Sequence, residues 1–97
     1  MYALGIIRYR RSLEEIARVT EEHRGYLREL KQKGLLVASG PFDPRFGGAL
    51  LLRVDDDDAI GTLDRIRDDD PFVKNNLVQY ELLPWNVMGG REDLDKI

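Results

Sequence analysis

The first apolar stretch of the chain, Tyr2 to Tyr9, mixes aliphatic and aromatic residues and runs into a basic cluster of Arg8, Arg10 and Arg11, a length that suits a strand better than a helix. Ser12 is followed three positions later by Glu15. That is the pattern of a capping box, in which hydroxyl and carboxylate each satisfy an orphan backbone N–H, so a long helix is expected to begin there. Leu13, Ile16, Thr20, His23, Leu27 and Leu30 then recur at spacings of three and four and mark its inner stripe, while Glu14, Arg18, Glu21, Glu22, Arg28, Glu29 and Lys31 fall elsewhere on the wheel. Gly34 is placed to end this helix in a left-handed conformation that a Cβ would penalise.

A second strand is expected over Leu35 to Ser39, stopped by the turn chemistry of Gly40-Pro41-Phe42-Asp43-Pro44. Gly47 to Val54 is nearly continuous in apolar residues, as in a strand covered on both faces. Asp55 to Asp58 can cap and charge the start of a second helix whose inner stripe is Ala59, Ile60, Leu63 and Ile66, with Pro71 ending it. Leu77 to Leu83 reads as the fourth strand, and Pro84-Trp85 leads into a polar tail expected to fray or to cross a neighbouring subunit. The order strand, helix, strand, strand, helix, strand predicts an α+β, ferredoxin-like βαββαβ fold: a four-stranded antiparallel sheet with both helices on one face. The other face then lacks a cover from its own chain. Residues 1–84 form one domain in this reading and 85–97 a C-terminal tail.

Composition narrows the function classes. At 97 residues and 11.2 kDa the chain supports one small core, and self-association that buries more surface is expected. A net charge of -3 and a pI near 5.1 argue against nucleic acid as a partner, because phosphate binding needs a clustered positive field. No stretch approaches the ~20 apolar residues of a membrane span, and no signal core stands at the N-terminus, which predicts a cytoplasmic protein. Without cysteine there is no thiol nucleophile and no thiolate metal site. His, carboxylates, hydroxyls and Arg remain.

The single histidine, His23, falls in the apolar stripe, and burying an imidazole costs free energy unless its ring nitrogens find partners. Two readings stand side by side: a core histidine bonded to a backbone carbonyl, or a functional group. Asp70, in Asp70-Pro71-Phe72, is the natural partner, since a carboxylate beside imidazole fixes its tautomer and favours its protonated form. The alternative for Asp70 is a turn residue at a helix end. Direct contact also requires the segment after the second helix to reach inward, because His23 lies roughly 16 Å along its helix from Ser12 at ~1.5 Å per residue. Ser39, Gly40, Pro41, Arg8 and Asp70 are expected at one rim of the sheet. Ser39 lacks the Gly-x-Ser-x-Gly setting of a hydrolase elbow. A calcium loop starting at Asp56 would place Ile60 and Arg67 where oxygen ligands are needed, so no metal site is assigned. Trp85 is expected to pack at a pocket or interface, and Gly25 to mark a close approach of a strand or ligand.

His23 on a helix, followed by Tyr26-Leu27 and Leu30, then Gly34, Ser39-Gly40-Pro41 and Asp70-Pro71-Phe72, resembles the YCII-related (YciI-like) family over about residues 1 to 84. The resemblance implies a dimeric α+β barrel, in which two ferredoxin-like units join their sheets, and a fold related to muconolactone isomerases. It also implies an active site built on His23 and Asp70, with Ser39-Gly40-Pro41 lining the same pocket. A few members resemble dehydrochlorinase or isomerase enzymes of aromatic degradation. The expectation is therefore a homodimeric, cofactor-independent acid–base lyase or isomerase acting on a small organic molecule. His23 shuttles the proton and Asp70 orients it; Ser39, the Gly40 backbone, Pro41 and Phe72 bind substrate, and Arg8 is an anion contact. A non-catalytic ligand-binding or interaction dimer is the alternative, and a structural dimer with a satisfied core histidine the plainest.

Overall fold

The computed structural model describes residues 1–97. β1 (Tyr2–Tyr9) leads to α1 (Leu13–Gln32), β2 (Leu36–Pro41), β3 (Gly47–Arg53), α2 (Ala59–Asp68), α3 (Pro71–Lys74), β4 (Val78–Trp85) and α4 (Arg91–Asp95). The strands form one antiparallel sheet in the order β2-β3-β1-β4, so the α+β ferredoxin-like arrangement expected from the element order is the one found.

The start of α1 is fixed as its sequence dictates. Glu15 N–H donates to the Ser12 hydroxyl, and Ser12 N–H donates to the Glu15 carboxylate. At the other end Gly34 takes φ +76°, the left-handed region where a Cβ would be strained. Alternation along β1 sends Ala3 and Ile7 to the helix side, where they meet Leu50 and Leu52 of β3, Leu30 of α1, and Ala59, Leu63 and Ile66 of α2 in the main core. A smaller core of Ile16, Phe72 and Leu77 lies beside it, with Tyr9, Val19 and Val78 packed against it.

Several boundaries differ from the sequence expectation, each for a local reason. Gly40 and Pro41 extend β2 instead of stopping it, pairing with Ala49 and Gly48. β2 is an edge strand, where the missing proline N–H is tolerated. β4 likewise continues through Pro84 and Trp85, which sit opposite Ala3 and Tyr2 on the other edge. Leu13 and Ile60 are more than half exposed, because the inward arc of each helix is narrower than the apolar stripe: Ile16 and Leu30 are the buried residues of α1, and Ala59, Leu63 and Ile66 those of α2. Asp58 occupies the N-cap of α2 but makes no side-chain cap bond; its carboxylate pairs with Arg65 at 3.3 Å. Gly25 has only the Arg28 guanidinium near its vacant Cβ position, at 3.6 Å, so no strand approaches it.

The tail folds back on its own chain. Tyr2 Oη donates to Asp95 Oδ1 at 2.6 Å, Arg53 donates to the main-chain oxygens of Leu94 and Ile97, and Val87 is buried. On the sheet face turned away from α1 and α2 lie Leu4, Ile6, Leu51, Leu83 and Trp85, the last two exposed, together with an ion pair between Arg8 and Glu81. No helix is long and apolar enough to cross a membrane.

Candidate functional site

Asp70 begins a helix of its own. The chain leaves α2 at Asp68, and Asp70 takes an extended conformation with its carboxylate accepting from Phe72 N–H at 2.9 Å, while Pro71 supplies the N1 position. Proline suits that position because its φ is preset for the helix and its missing N–H would be unpaired there anyway. Pro71 therefore starts α3 where the sequence suggested only the end of α2. Because α3 packs against α1, the distance that separated His23 from the helix start ceases to be an obstacle: α3 delivers Asp70 to the middle of α1.

His23 Nδ1 lies 2.9 Å from Asp70 Oδ1. The imidazole is 12% exposed and the carboxylate 1%, so the contact is largely shielded from water. An ionised carboxylate only accepts, so in the neutral imidazole this bond places the proton on Nδ1 and the lone pair on Nε2. Nε2 makes no hydrogen bond within the chain, and it is not among the sealed polar atoms without partners. The ring is stacked on Phe72 at 4.0 Å between centroids and 15° between planes, which holds its plane as Asp70 holds its rotation.

Behind the pair, Asp70 Oδ2 and Tyr80 Oη are buried with no hydrogen-bond partner. Burial, reinforced by the nearby Asp70 carboxylate, pushes the Tyr80 phenol well above the ordinary tyrosine range. Tyr26 is shifted the same way, chiefly by burial and then by Asp69 and Asp70, and its hydroxyl donates to Ile66 O at 2.7 Å.

In front of the pair is a cavity of about 200 Å³. α1 contributes Thr20, His23, Arg24 and Leu27; β2 contributes Ser39, Gly40 and Pro41; Phe72 of α3, Tyr9 of β1 and Arg45 of the β2–β3 turn complete its polar and aromatic wall. Gly47 and Gly48 line it from β3. A Cβ on Gly47 would lie 1.9 Å from Ile7 O, and one on Gly48 2.7 Å from Gly40 O, so both glycines are imposed by the close approach of neighbouring strands. Along this part of β3 the cavity is bounded by backbone.

Of the residues singled out by sequence, His23, Ser39, Gly40, Pro41 and Phe72 share this cavity, and Asp70 stands directly behind His23. Arg8 is placed elsewhere. Strand alternation turns it to the opposite sheet face from Ile7 and Tyr9, where it pairs with Glu81 at 3.3 Å, and it does not line the cavity. Trp85 is also absent from the lining. Sequence reading missed Tyr9, Thr20, Arg24 and Arg45 as site residues. The available signals were the period of two from Ile7 to Tyr9 and the helical spacing of Arg24 from Thr20 and Leu27; nothing local marked Arg45. No cluster of three or more His, Cys, Asp or Glu side chains suited to a metal ion is present.

Residues 1–86 match the family model of the YCII-related domain. No curated protein sequence matches the chain. Among solved structures, the chain is similar to 5-chloro-2-hydroxyhydroquinone dehydrochlorinase (TftG) from Burkholderia phenoliruptrix AC1100, determined in complex with 2,5-dihydroxybenzoquinone. The two are 21% identical, with a TM-score of 0.75 over 91% of this chain and 96% of that one. At that identity the likeness establishes the fold.

Proposed function

The chain belongs to the YCII-related domain family, and from that premise we propose that it is a cofactor-independent acid–base enzyme, a lyase or isomerase of small organic molecules, with His23 as its proton carrier. The observation that carries this reading is the His23–Asp70 contact at the wall of a ligand-sized cavity, with Nε2 unengaged by the chain. Nε2 removes a proton from the bound molecule, and Asp70 stabilises the imidazolium that forms. In a lyase the electron pair of the broken bond to hydrogen expels an anionic leaving group, so the elements of an acid HX are lost and no external oxidant is consumed. In an isomerase the same proton returns at a second position. Ser39 and the Gly40 backbone receive the oxygen on which charge develops, and Pro41 and Phe72 hold the carbon frame.

The fold shared with the dehydrochlorinase supports the lyase form, with hydroxylated aromatic compounds as the first substrates to test. The exposed Leu83 and Trp85 on the sheet face away from α1 and α2 support assembly as a homodimer through that face.

The test is turnover of chlorinated hydroxyhydroquinones and of unsaturated lactones by the parent and by His23→Ala. A loss of at least about a hundredfold in the variant is expected, in line with general acid–base contributions. Equal turnover by parent and variant removes His23 from the mechanism. Saturable binding with no product, followed by mass spectrometry of the recovered compound, would instead establish a binding module.

A further inference from the structure

We propose that the cavity beside His23 selects an anionic compound, an oxyanion on a small carbon frame, and that Arg45 and Arg24 read its charge. The inference rests on the small-molecule reading above and adds the class of compound. The charged and ionisable side chains lining the cavity are His23, Arg24, Arg45 and Tyr9, with no Asp or Glu among them. In a chain with 18 acidic residues and a net charge of -3, that is a local reversal of sign. The Asp70 carboxylate lies behind the imidazole, with Oδ1 already engaged by His23 and by Phe72 N–H.

Arg45 is presented by a turn fixed at both ends. Phe42 N–H donates to Gly47 O at 2.8 Å, Tyr9 N–H donates to Phe46 O at 2.9 Å, and the Phe42 and Phe46 rings stack at 5.2 Å across the segment Asp43-Pro44-Arg45 between them. Its guanidinium has no ion pair; a 3.5 Å bond from Nε to Tyr9 Oη is its hydrogen bond within the chain. Arg24 follows His23 on α1 and is 55% exposed, with one solvent-facing pair to Glu21 at 3.3 Å. Such pairs contribute little and yield readily to a better acceptor. Both arginines also line the adjoining groove along α1, with Ala17, Thr20 and the Glu21 that pairs with Arg24, so they stand where the groove opens into the cavity.

A guanidinium is a planar fork of donors matched to carboxylate, enolate or phenolate oxygens, and it stays charged at any working pH. Behind that polar mouth, Leu27, Leu50 and Phe72 provide apolar surface for the carbon frame. Proton removal by Nε2 leaves further negative charge on the bound molecule, which the same cations stabilise.

The test is calorimetric titration at neutral pH with two probes of one frame, ionised 2,5-dihydroxybenzoquinone and its neutral dimethyl ether. The parent is expected to bind the anion at least about tenfold more tightly, with a preference that weakens as salt is raised. Arg24→Gln and Arg45→Gln should each reduce it, the double variant should abolish it, and Arg45→Lys should keep part of it. Both sites are solvent-facing, so folding is checked simply by far-ultraviolet dichroism. Equal affinity for the two probes, or a preference that survives in the double variant, overturns the inference while leaving the small-molecule site intact. Failure of both probes to bind, with His23-dependent turnover of a neutral compound, also overturns it. Failure of both probes with no His23-dependent turnover removes the function proposed above, and this inference with it.

Discussion

Cutting the His23–Asp70 contact from either side should destabilise the fold, and cutting both sides should cost less than the sum. In Asp70→Ala, Phe72 N–H loses its cap, worth about 1 kcal/mol. The imidazole N–H, in a ring only 12% exposed, loses its acceptor, at roughly 1–3 kcal/mol. In His23→Ala the stack on Phe72 goes, at about 0.5–1.5 kcal/mol. The 1% exposed carboxylate then keeps one donor of two, for roughly 1–3 kcal/mol more. Each single change thus costs roughly 2–4 kcal/mol by these values. A purely Coulombic figure would be larger, about 4 kcal/mol for unit charges 4 Å apart at an effective dielectric of 20, but desolvation of both partners offsets much of it. The net bond between a neutral donor and a charged acceptor, about 1.5–3 kcal/mol, is the better guide.

That bond is counted in both single variants and removed once in the double. Urea unfolding of the four proteins should therefore give a coupling energy of about 1.5–3 kcal/mol. The same singles should lower Tm by roughly 8–32 °C, at about 4–8 °C per kcal/mol for a domain of this size. Additivity within about 0.5 kcal/mol would show that the two side chains do not interact in solution, and the acid–base proposal would lose its geometric basis.

Tyr80→Phe should hold or raise Tm at neutral pH, because it deletes a buried hydroxyl without a partner, whereas Tyr26→Phe breaks a 2.7 Å bond to Ile66 O and should cost about 1 kcal/mol by thermal unfolding. The same tyrosines set an alkaline signature. Their phenols are held above the ordinary value of 10.0, so below that pH they leave stability unchanged; above it the unfolded chain releases protons that the fold retains, and stability falls as pH rises. Tm measured from pH 8 to pH 11, roughly spanning the ordinary phenol range, should decline less in Tyr80→Phe than in the parent, and parallel curves would contradict the burial argument. Gly47→Ala should prevent folding or cost more than about 4 kcal/mol, since its Cβ would lie 1.9 Å from Ile7 O in the paired strand; an unchanged urea midpoint would refute that register. Ser12→Ala should cost about 1 kcal/mol through loss of the capping box, and Ser12→Asp should largely restore it.

How far the sequence foretold this molecule depended on the range of the deciding interaction. The capping box at Ser12 and the glycine stop at Gly34 are settled within a few residues, and both were legible. The ends of β2 and β4 were not, because whether proline stops a strand depends on which edge of a sheet that strand occupies, a fact of pairing. Asp70-Pro71-Phe72 shows the same limit. Its residues spell a helix start as plainly as a helix end, and only the packing of α3 on α1 makes it the former. The period of two that puts Ile7 in the core also puts Arg8 on the far face, so alternation along β1 itself excludes Arg8 from the pocket. Arg45 reaches the cavity because the Phe42–Phe46 turn lies over Tyr9, a contact between segments more than thirty residues apart that no local pattern encodes.

The site lies beside the seam between two cores, and that position accounts for its chemistry. Ala3, Leu50 and Leu63 fill the main core without polar atoms, while Ile16, Phe72 and Leu77 form the smaller one, whose Phe72 stacks on His23. A polar pair set wholly inside either cluster would be sealed from ligands; set on the surface, it would be loosened by water. Beside the small core, Asp70 is buried to 1% while the ring it holds still reaches a cavity. The carboxylate that caps α3 is also the one that orients the imidazole, so the fold cannot form α3 as it stands without aiming the ring. The sheet face away from α1 and α2 carries the alternate residues of the same strands, with Leu4, Ile6, Leu83 and Trp85 pointing away from the pocket and the tail packed on Tyr2 at one end. Strand alternation thus places this apolar face and the cavity on opposite sides of the sheet, and a change on one need not disturb the other.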